Sequence, residues 1–177
     1  DQKKFNKSWN EYKDHEWMFR IHMHVVRSME GDIGKEIALR TFFDKKQRLQ
    51  DKYDFVMESL KTYDAIMSWR TDTTYVLYQS ILKATPNQYW NYPLFVFLKK
   101  HGKIDFDGNF TIPANKKKNL YTLLEQTLKY VLVMGVVYNT VNKIKETIYQ
   151  VCDCIQNDKD YLGLYVSGYK SDLDSFF

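Results

Sequence analysis

The chain has 177 residues, 44% of them hydrophobic and 27% charged, a balance that suits one globular domain and excludes a disordered chain. Its 7 glycines and 3 prolines supply too few turns for an all-β domain, so helices are expected. The net charge of +4 is compatible with a nucleic-acid partner and equally with an ordinary lysine-rich surface.

The opening of the chain predicts neither a signal peptide nor a membrane segment. The stretch "DQKKFNKSWNEYKDHEW" is polar and charged, and the apolar runs at 94–98 and 131–137 are far shorter than the ~20 residues that span a bilayer. Cys152 and Cys154 are too few for a disulfide framework, and their spacing on a predicted helix places them on different faces. We therefore expect a cytoplasmic protein that has no membrane partner.

Apolar periodicity predicts the first helices. One runs from an N-cap at Asp14 to about Met29 and ends at a break between Gly31 and Gly34. Its apolar positions recur every four residues: Trp17, Ile21, Val25 and Met29. A helix over about 37–43 follows, and Asp44 is expected to separate it from the next.

Two further helices are predicted in the middle of the chain. The apolar positions of the first are Leu49, Tyr53, Val56, Leu60, Tyr63 and Met67. The second follows Asp72, a favourable N-cap, and covers "TTYVLYQSILKAT". Thr85 and Pro86 end it.

The most aromatic stretch, "YWNYPLFVFLKKHG" at 89–102, predicts a short central helix. A proline costs about 3 kcal/mol inside a helix but nothing in its first turn, so Pro93 should begin the helix. Tyr92 or Asn91 before it should then be extended. Gly102 is a natural residue just beyond the helix C-terminus. Because the segment is apolar nearly all round, the helix should be buried.

The rest of the chain predicts a hairpin or ordered loop and then more helix. Asp107-Gly108 is a favoured two-residue turn between alternating apolar residues, so a small β-hairpin is expected at 104–112. A long helical region follows, with a kink or short break near Gly135 and Asn139. The tail after Gln156 is expected to be irregular, with one helical turn after Ser171. The predicted fold is all-α, a single bundle of about six or seven helices over residues 1–177.

No motif in the sequence assembles a catalytic, cofactor or metal site. His22 and His24 lie about 200° apart on a helix, so they cannot share a metal, and we expect one to be partly buried and one exposed. The sequence "DFDGN" resembles the start of a calcium loop, but Phe110 and Lys116 stand where that loop requires glycine and glutamate. No cofactor is expected.

Two lysine clusters are the candidate nucleic-acid contacts. Lys116, Lys117 and Lys118 fall in the first turn of a predicted helix, where the helix dipole disfavours cations, and a phosphate partner would relieve that repulsion. Lys99 and Lys100 end the helix before it. A solvated loop end explains the three consecutive lysines equally well.

Three stretches of the chain resemble a known family. They are "FRIHMHVVRSMEGDIGKEIALRTFF" (19–43), "ILKATPNQYWNYPLFVFLKKHG" (81–102) and "LYTLLEQTLKYVLVMGVVYNTVNKIKETIYQVC" (120–152). In this order they are similar to the helical middle region of GmrSD-like bacterial restriction proteins, which carry a ParB-like N-terminal domain and often a C-terminal HNH nuclease domain. The segment around Tyr92 and Pro93 is its most recognisable part.

The resemblance implies a segment of a larger phage-defence protein, whose active domains lie on either side. The D-G-Q-Q-R motif of the N-terminal domain and the histidine motif of the nuclease domain are absent from these 177 residues. The implied role is a non-catalytic connector or scaffold whose partners are those flanking domains, with DNA as a further partner. The alternative is a helical module that binds nucleic acid or protein and has no activity of its own. For an independent enzyme, the sequence offers no residues.

Overall fold

The computed structural model describes residues 15–32, 37–46, 48–68, 75–84, 89–104, 110–137 and 141–173. In chain order these residues form α1 His15–Met29, α2 Leu39–Lys45, α3 Leu49–Ser68, α4 Tyr75–Ala84, α5 Asn91–His101, β1 Lys103–Ile104, β2 Phe110–Thr111, α6 Ala114–Val137, α7 Val141–Gln156 and α8 Leu162–Leu173. The all-α prediction is confirmed, with eight helices in the described ranges instead of six or seven. None of these helices is both long enough and apolar enough to cross a bilayer.

Helix α5 is the centre of the fold. Its first eight residues, Asn91–Leu98, are all buried, and it packs against α1, α6 and α7. Pro93 is the third residue of the helix, so its place in the first turn is confirmed. The expectation of an extended residue before it is wrong, because Asn91 and Tyr92 are already helical. The Tyr92 amide donates to the Tyr89 carbonyl at 3.0 Å, which starts the helix earlier.

Gly102 ends α5 for a reason that differs from the one predicted. Its φ of −72° and ψ of 155° are extended, not left-handed, and its amide donates to the Leu98 carbonyl at 2.8 Å. A Cβ at this position would overlap the ring of Phe110 and lie 2.5 Å from the Leu98 carbonyl oxygen. Close approach of the β-hairpin therefore requires glycine here.

The two strands of the hairpin are short and antiparallel. Lys103 pairs with Thr111, and Ile104 pairs with Phe110. The β-hairpin expected at 104–112 is thus confirmed in its strands. The predicted Asp107-Gly108 turn falls at 105–109, outside the described residues.

Helix α1 has the predicted extent from His15 to Met29 and lies between two parts of the core. Ile21 and Val25 belong to the main cluster, whereas Met23 belongs to a smaller one. Five consecutive residues, 21–25, are buried. Because successive residues point in different directions around a helix, burial of all five means that neighbours surround this part of α1.

A glycine-dependent motif ends α1. Gly31 has a φ of +74°, its amide donates to the Ser28 carbonyl at 3.2 Å, and the Asp32 amide donates to the Arg27 carbonyl at 2.8 Å. This is the Schellman arrangement, so the predicted break at Gly31 is confirmed. It also places the Asp32 carboxylate beside the buried guanidinium of Arg27, with Oδ2 2.9 Å from Nε.

The smaller cluster joins α1, α2 and α3. Met23, Phe42 and Phe55 are its buried members, and the Phe55 ring lies 5.1 Å from Phe42 and 4.9 Å from His22. The predicted joint at Asp44 is displaced, since α2 continues to Lys45.

Helix α3 has its predicted extent but a different buried face. Leu49 is 82% exposed and Tyr53 is 55% exposed, whereas Phe55, Ser59 and Leu60 are buried. The sequence predicted that the apolar positions starting at Leu49 form the buried face of α3. This prediction is wrong for the first two of them, Leu49 and Tyr53. Tyr53 and Phe55 lie about 200° apart on a helix, and the structure turns the Phe55 face inward.

The remaining helices enclose α5. Helix α4 packs on α6. Helix α6 is described to Val137 and α7 from Val141, and Gly135 lies within α6, whereas the rest of the predicted kink or break, at 138–140, lies outside the described residues. The buried positions of these two helices include Leu120, Leu123, Leu124, Val131, Ile144, Ile148, Val151 and Ile155.

The tail is the clearest error in the sequence prediction. Residues Leu162–Leu173 form helix α8, which packs on α6 and α7. Tyr165 is fully buried, its ring lies 5.3 Å from that of Tyr130, and its hydroxyl is 2.9 Å from the Thr127 hydroxyl. Because Thr127 donates to the Leu123 carbonyl at 2.7 Å, Tyr165 is the donor in this pair.

Candidate functional site

The five candidate lysines lie on two adjoining helix ends. Lys99 and Lys100 are in the last turn of α5, and Lys116, Lys117 and Lys118 are in the first turns of α6. The short hairpin connects these two ends of the chain. The sequence therefore assigned the lysines to the correct helix positions, and the fold brings some of them together.

Lys99 and Lys100 have partners within the chain. The Lys99 ammonium is 3.5 Å from a Glu58 carboxylate oxygen, which links α5 to α3. The Lys100 ammonium donates to the carbonyls of Ile155 and Gln156 at 2.8 Å each and is 2.7 Å from Asp158 Oδ1.

Lys100 therefore closes the C-terminus of α7. The last carbonyls of a helix have no partner within the helix, and the dipole makes that end negative. A lysine from another helix satisfies two of these carbonyls. The Lys100 ammonium thereby lowers the pKa of Asp158 below its usual range, first by hydrogen bonding and further by charge. This role depends on residues more than 50 positions apart, so sequence spacing did not reveal it.

The lysines of α6 face solvent to different degrees. Lys116 is half-buried, whereas Lys117 and Lys118 are exposed. Burial lowers the pKa of His101, and the positive charges of Lys116 and Lys100 lower it further. His101 thus lies near cations from both helix ends, and Asp158, which pairs with Lys100, acts on its pKa in the opposite direction.

Tyr121 is a surface residue that the sequence analysis did not select. The Tyr121 side chain is 51% exposed. It lies four residues after Lys117 and three after Lys118, so the three side chains are neighbours on the surface of α6. The signal available in the sequence was an aromatic residue three and four positions after two lysines.

Both histidines of α1 are buried, which contradicts the expectation that one would be exposed. His22 and His24 are each 3% exposed. His22 lies against Phe55, and His24 stacks on Tyr92 and Tyr149, with ring centroids 4.2 Å and 5.2 Å away. As predicted, they are on different sides of α1.

Burial is the main reason that both histidines are neutral at physiological pH. It lowers the pKa of each to about 3, and nearby cations contribute in the same direction: Lys99 and Lys46 for His22, and Arg27, Arg20 and Lys145 for His24. Glu58, for His22, and Asp32, for His24, act in the opposite direction. His22 Nδ1 and His24 Nε2 have no hydrogen-bond partner among the described residues.

The cysteines and carboxylates of the described ranges do not form a reactive centre. Within these ranges, no three His, Cys, Asp or Glu side chains are grouped so that they could hold a metal ion. Cys152 and Cys154 are both free, and burial raises the pKa of each thiol. The segment that resembles a calcium loop falls mainly at 105–109, outside the described residues.

A hollow of about 620 Å³ lies on the exposed start of α3, and its walls are Leu49, Gln50, Lys52, Tyr53 and Val56. All five residues come from one helix, and the hollow is open to solvent. Binding pockets for small molecules are enclosed and have convergent polar groups. We therefore assign no ligand to it.

Comparison with known proteins finds no matching family model, no matching curated protein and no matching solved structure.

Proposed function

We propose that the chain is a non-catalytic helical connector of a GmrSD-like DNA restriction protein that defends bacteria against phage. In this role it holds a ParB-like domain and an HNH nuclease domain in a defined relation, and its own side chains act through packing. The proposal rests on the resemblance of three stretches of sequence and on the way these stretches meet in the fold.

The observation that carries the proposal is a group of three aromatic rings. His24 comes from the first resembling stretch, Tyr92 from the second and Tyr149 from the third. The His24 ring lies 4.2 Å from Tyr92 and 5.2 Å from Tyr149, and the two tyrosine rings are parallel within 3° at 6.1 Å. The three stretches therefore pack against one another in the core.

This arrangement suits a scaffold. Helices α1, α5 and α7, which carry the three rings, also make extensive mutual contacts. Close-packed aromatic cores resist deformation, since side chains interdigitate at nearly crystalline density. A connector requires such rigidity if it is to fix the distance and orientation of two catalytic domains.

The first test is the reading frame that encodes the chain. We expect a segment with the D-G-Q-Q-R motif before the chain and a nuclease segment with its histidine motif after it. A complete reading frame that contains neither segment would refute the connector role.

The second test is enzymatic. Purified chain, incubated with duplex DNA and separately with nucleoside triphosphates, should show no cleavage or hydrolysis, with or without Mg²⁺ or Mn²⁺. Chain that carries the Phe95→Ala substitution serves as a control for contaminating nuclease, because a contaminant would retain its activity. Turnover by the pure chain that a single substitution abolishes would contradict the proposal.

A further inference from the structure

We propose that α2 and α3 form a lobe that opens from α1 while the rest of the fold stays closed, and that protonation of His22 promotes this opening. The lobe comprises residues 37–46 and 48–68. This conformational change goes beyond the connector role and does not depend on it, because it concerns only how helices of the chain separate. It would make one side of α1 accessible as the pH falls.

The lobe has an apolar cluster that is separate from the main core. Phe42 and Phe55 of the lobe are buried together with Met23 of α1, and the two phenylalanine rings lie 5.1 Å apart. Among the described residues, none of the lobe belongs to the main cluster. Parts of a fold that share little packing with the rest open as units, at a lower free energy than global unfolding. The lobe is such a part.

Helix α1 provides most of the attachment of the lobe. Helix α3 packs on α1 and more lightly on α5 and β2. Its link to α5 includes the ion pair of Glu58 and Lys99, whose nearest atoms are 3.5 Å apart and in which the Glu58 side chain is 48% exposed. Ion pairs with this much contact with water contribute little to stability. Opening therefore requires mainly the separation of α2 and α3 from α1.

His22 lies in the contact between α1 and the lobe. Its side chain is buried, its ring is 4.9 Å from the Phe55 ring, and its Nδ1 has no hydrogen-bond partner among the described residues. His24 is on the other side of α1, where its ring stacks on Tyr92 of α5 and Tyr149 of α7. Opening of the lobe would therefore expose His22 to water and leave His24 buried.

The surroundings of His22 oppose its protonation while the lobe is closed. Burial lowers its pKa to about 3, with further lowering by Lys99 at the end of α5 and Lys46 just after α2, whereas Glu58 of α3 acts in the opposite direction. No other histidine lies between His24 and His101 in the sequence, so the lobe itself contains none. Because water solvates the charged ring in the open state, protons bind the open state more tightly than the closed one.

Hydrogen–deuterium exchange of the full chain, followed by mass spectrometry and corrected for the intrinsic exchange rate, tests the proposal. At pH 7.5 the amides of α2 and α3 should exchange faster than those around Tyr130 and Ile148, which are fully buried in the main core. Between pH 7.5 and 5.0, protection in α3 should fall about 30-fold, because local opening exposes one histidine. Protection in the main core should fall about 1,000-fold, because global unfolding exposes both buried histidines of α1.

Matched variants identify the histidine responsible. His22→Phe retains a ring against Phe55 and should abolish the fall in α3. His24→Phe should leave the fall in α3 unchanged, while it reduces the fall in the main core to about 30-fold. Glu58→Gln, which removes the charge that pairs with Lys99, should increase exchange in α3 by less than about fivefold at both pH values and should not alter the pH dependence.

Three results would overturn the proposal. Equal pH dependence in α3 and in the main core would mean that the lobe opens only when the whole chain unfolds. This comparison uses the unmodified chain, so it is decisive even if a variant fails to fold. A fall in α3 that persists in His22→Phe would assign the effect to another group. No fall in α3 would mean that the closed lobe accommodates a protonated His22.

Discussion

Acidification should destabilise the fold well above the pH at which carboxylates titrate, because two neutral histidines are buried in α1. His22 and His24 are each 3% exposed, and one ring nitrogen of each lacks a hydrogen-bond partner within the described residues. The pKa of each is lowered to about 3, chiefly by burial. Protonation would place a cation beside Phe55 in one case and among Tyr92 and Tyr149 in the other.

The sign and size of the effect follow from linkage between protonation and folding. The unfolded chain binds protons near pH 6.5 and the folded chain only near pH 3, so stability is complete above pH 6.5 and falls as the pH decreases. At pH 5 each histidine costs about 2 kcal/mol, since each pH unit below 6.5 costs about 1.4 kcal/mol. The two together should remove about 4 kcal/mol, a large part of the stability of an ordinary domain.

Urea denaturation followed by circular dichroism at pH 7.5 and pH 5.0 measures this loss. His24→Phe retains a ring that can stack on Tyr92 and Tyr149, and it should reduce the pH-dependent loss by about 2 kcal/mol. His22→Phe should do the same, and the double variant should lose little stability over this interval. His101→Gln is the comparison, because His101 is only half-buried and its lowered pKa should contribute less to the loss than either buried histidine of α1.

Two outcomes would refute this reasoning. A loss below about 1 kcal/mol in the unmodified chain would mean that the folded state accommodates the protonated rings. An unchanged pH dependence in the double variant would mean that other groups cause the loss. Glu58 and Asp158 do not confuse the measurement, because hydrogen bonds and charges from lysines lower the pKa of each carboxylate below its usual range, away from the interval measured.

Three further substitutions test the packing and the helix ends. Phe95→Ala should reduce the free energy of unfolding by about 3–5 kcal/mol, because it removes a buried ring from the centre of the fold. Gly102→Ala should cost about 1–3 kcal/mol, because the new Cβ overlaps the Phe110 ring. Lys100→Met should cost about 1–3 kcal/mol, because it leaves two carbonyls at the end of α7 without their charged donor. Urea denaturation at pH 7.5 measures all three.

Each of these substitutions has a matched control. Leu132→Ala removes a side chain that is 49% exposed and should cost far less than Phe95→Ala. Gly163→Ala, whose Cβ would meet only Asp160 Oδ2 at 3.8 Å, should be neutral or stabilise by up to about 1 kcal/mol. Lys159→Met removes an exposed ion pair and should cost under about 1 kcal/mol. A Phe95, Gly102 or Lys100 variant that loses no more stability than its control would contradict the role assigned to that residue.

Most helices could be predicted because their signals are local. Pro93 favours a first helical turn, and Gly31 favours a helix end. Both act through the backbone within a few residues. Tyr92 shows where local reasoning fails. A residue before proline avoids the helical conformation, yet Tyr92 is helical and its ring stacks on His24 from α1.

Helix α8 is a second example. The sequence predicted an irregular tail after Gln156, with one helical turn after Ser171. The helix forms where Tyr165 inserts against Tyr130 and Thr127 of α6, and this contact outweighs weak intrinsic propensity. No feature within residues 157–177 contains that information.

The sequence by itself determined the all-α class, the presence of α1, α3 and α5, the end of α5 at Gly102, the buried character of α5 and the placement of the lysines on the ends of α5 and α6. The tertiary structure alone decided that the Phe55 side of α3 faces inward, that His22 and His24 are both buried, that Lys100 closes α7, and that Tyr121 lies exposed beside lysines. The physical reason is the separation along the chain of the residues that interact. Helix formation and helix ends depend on residues three or four apart, whereas burial, ion pairing and surface character depend on which distant segments meet.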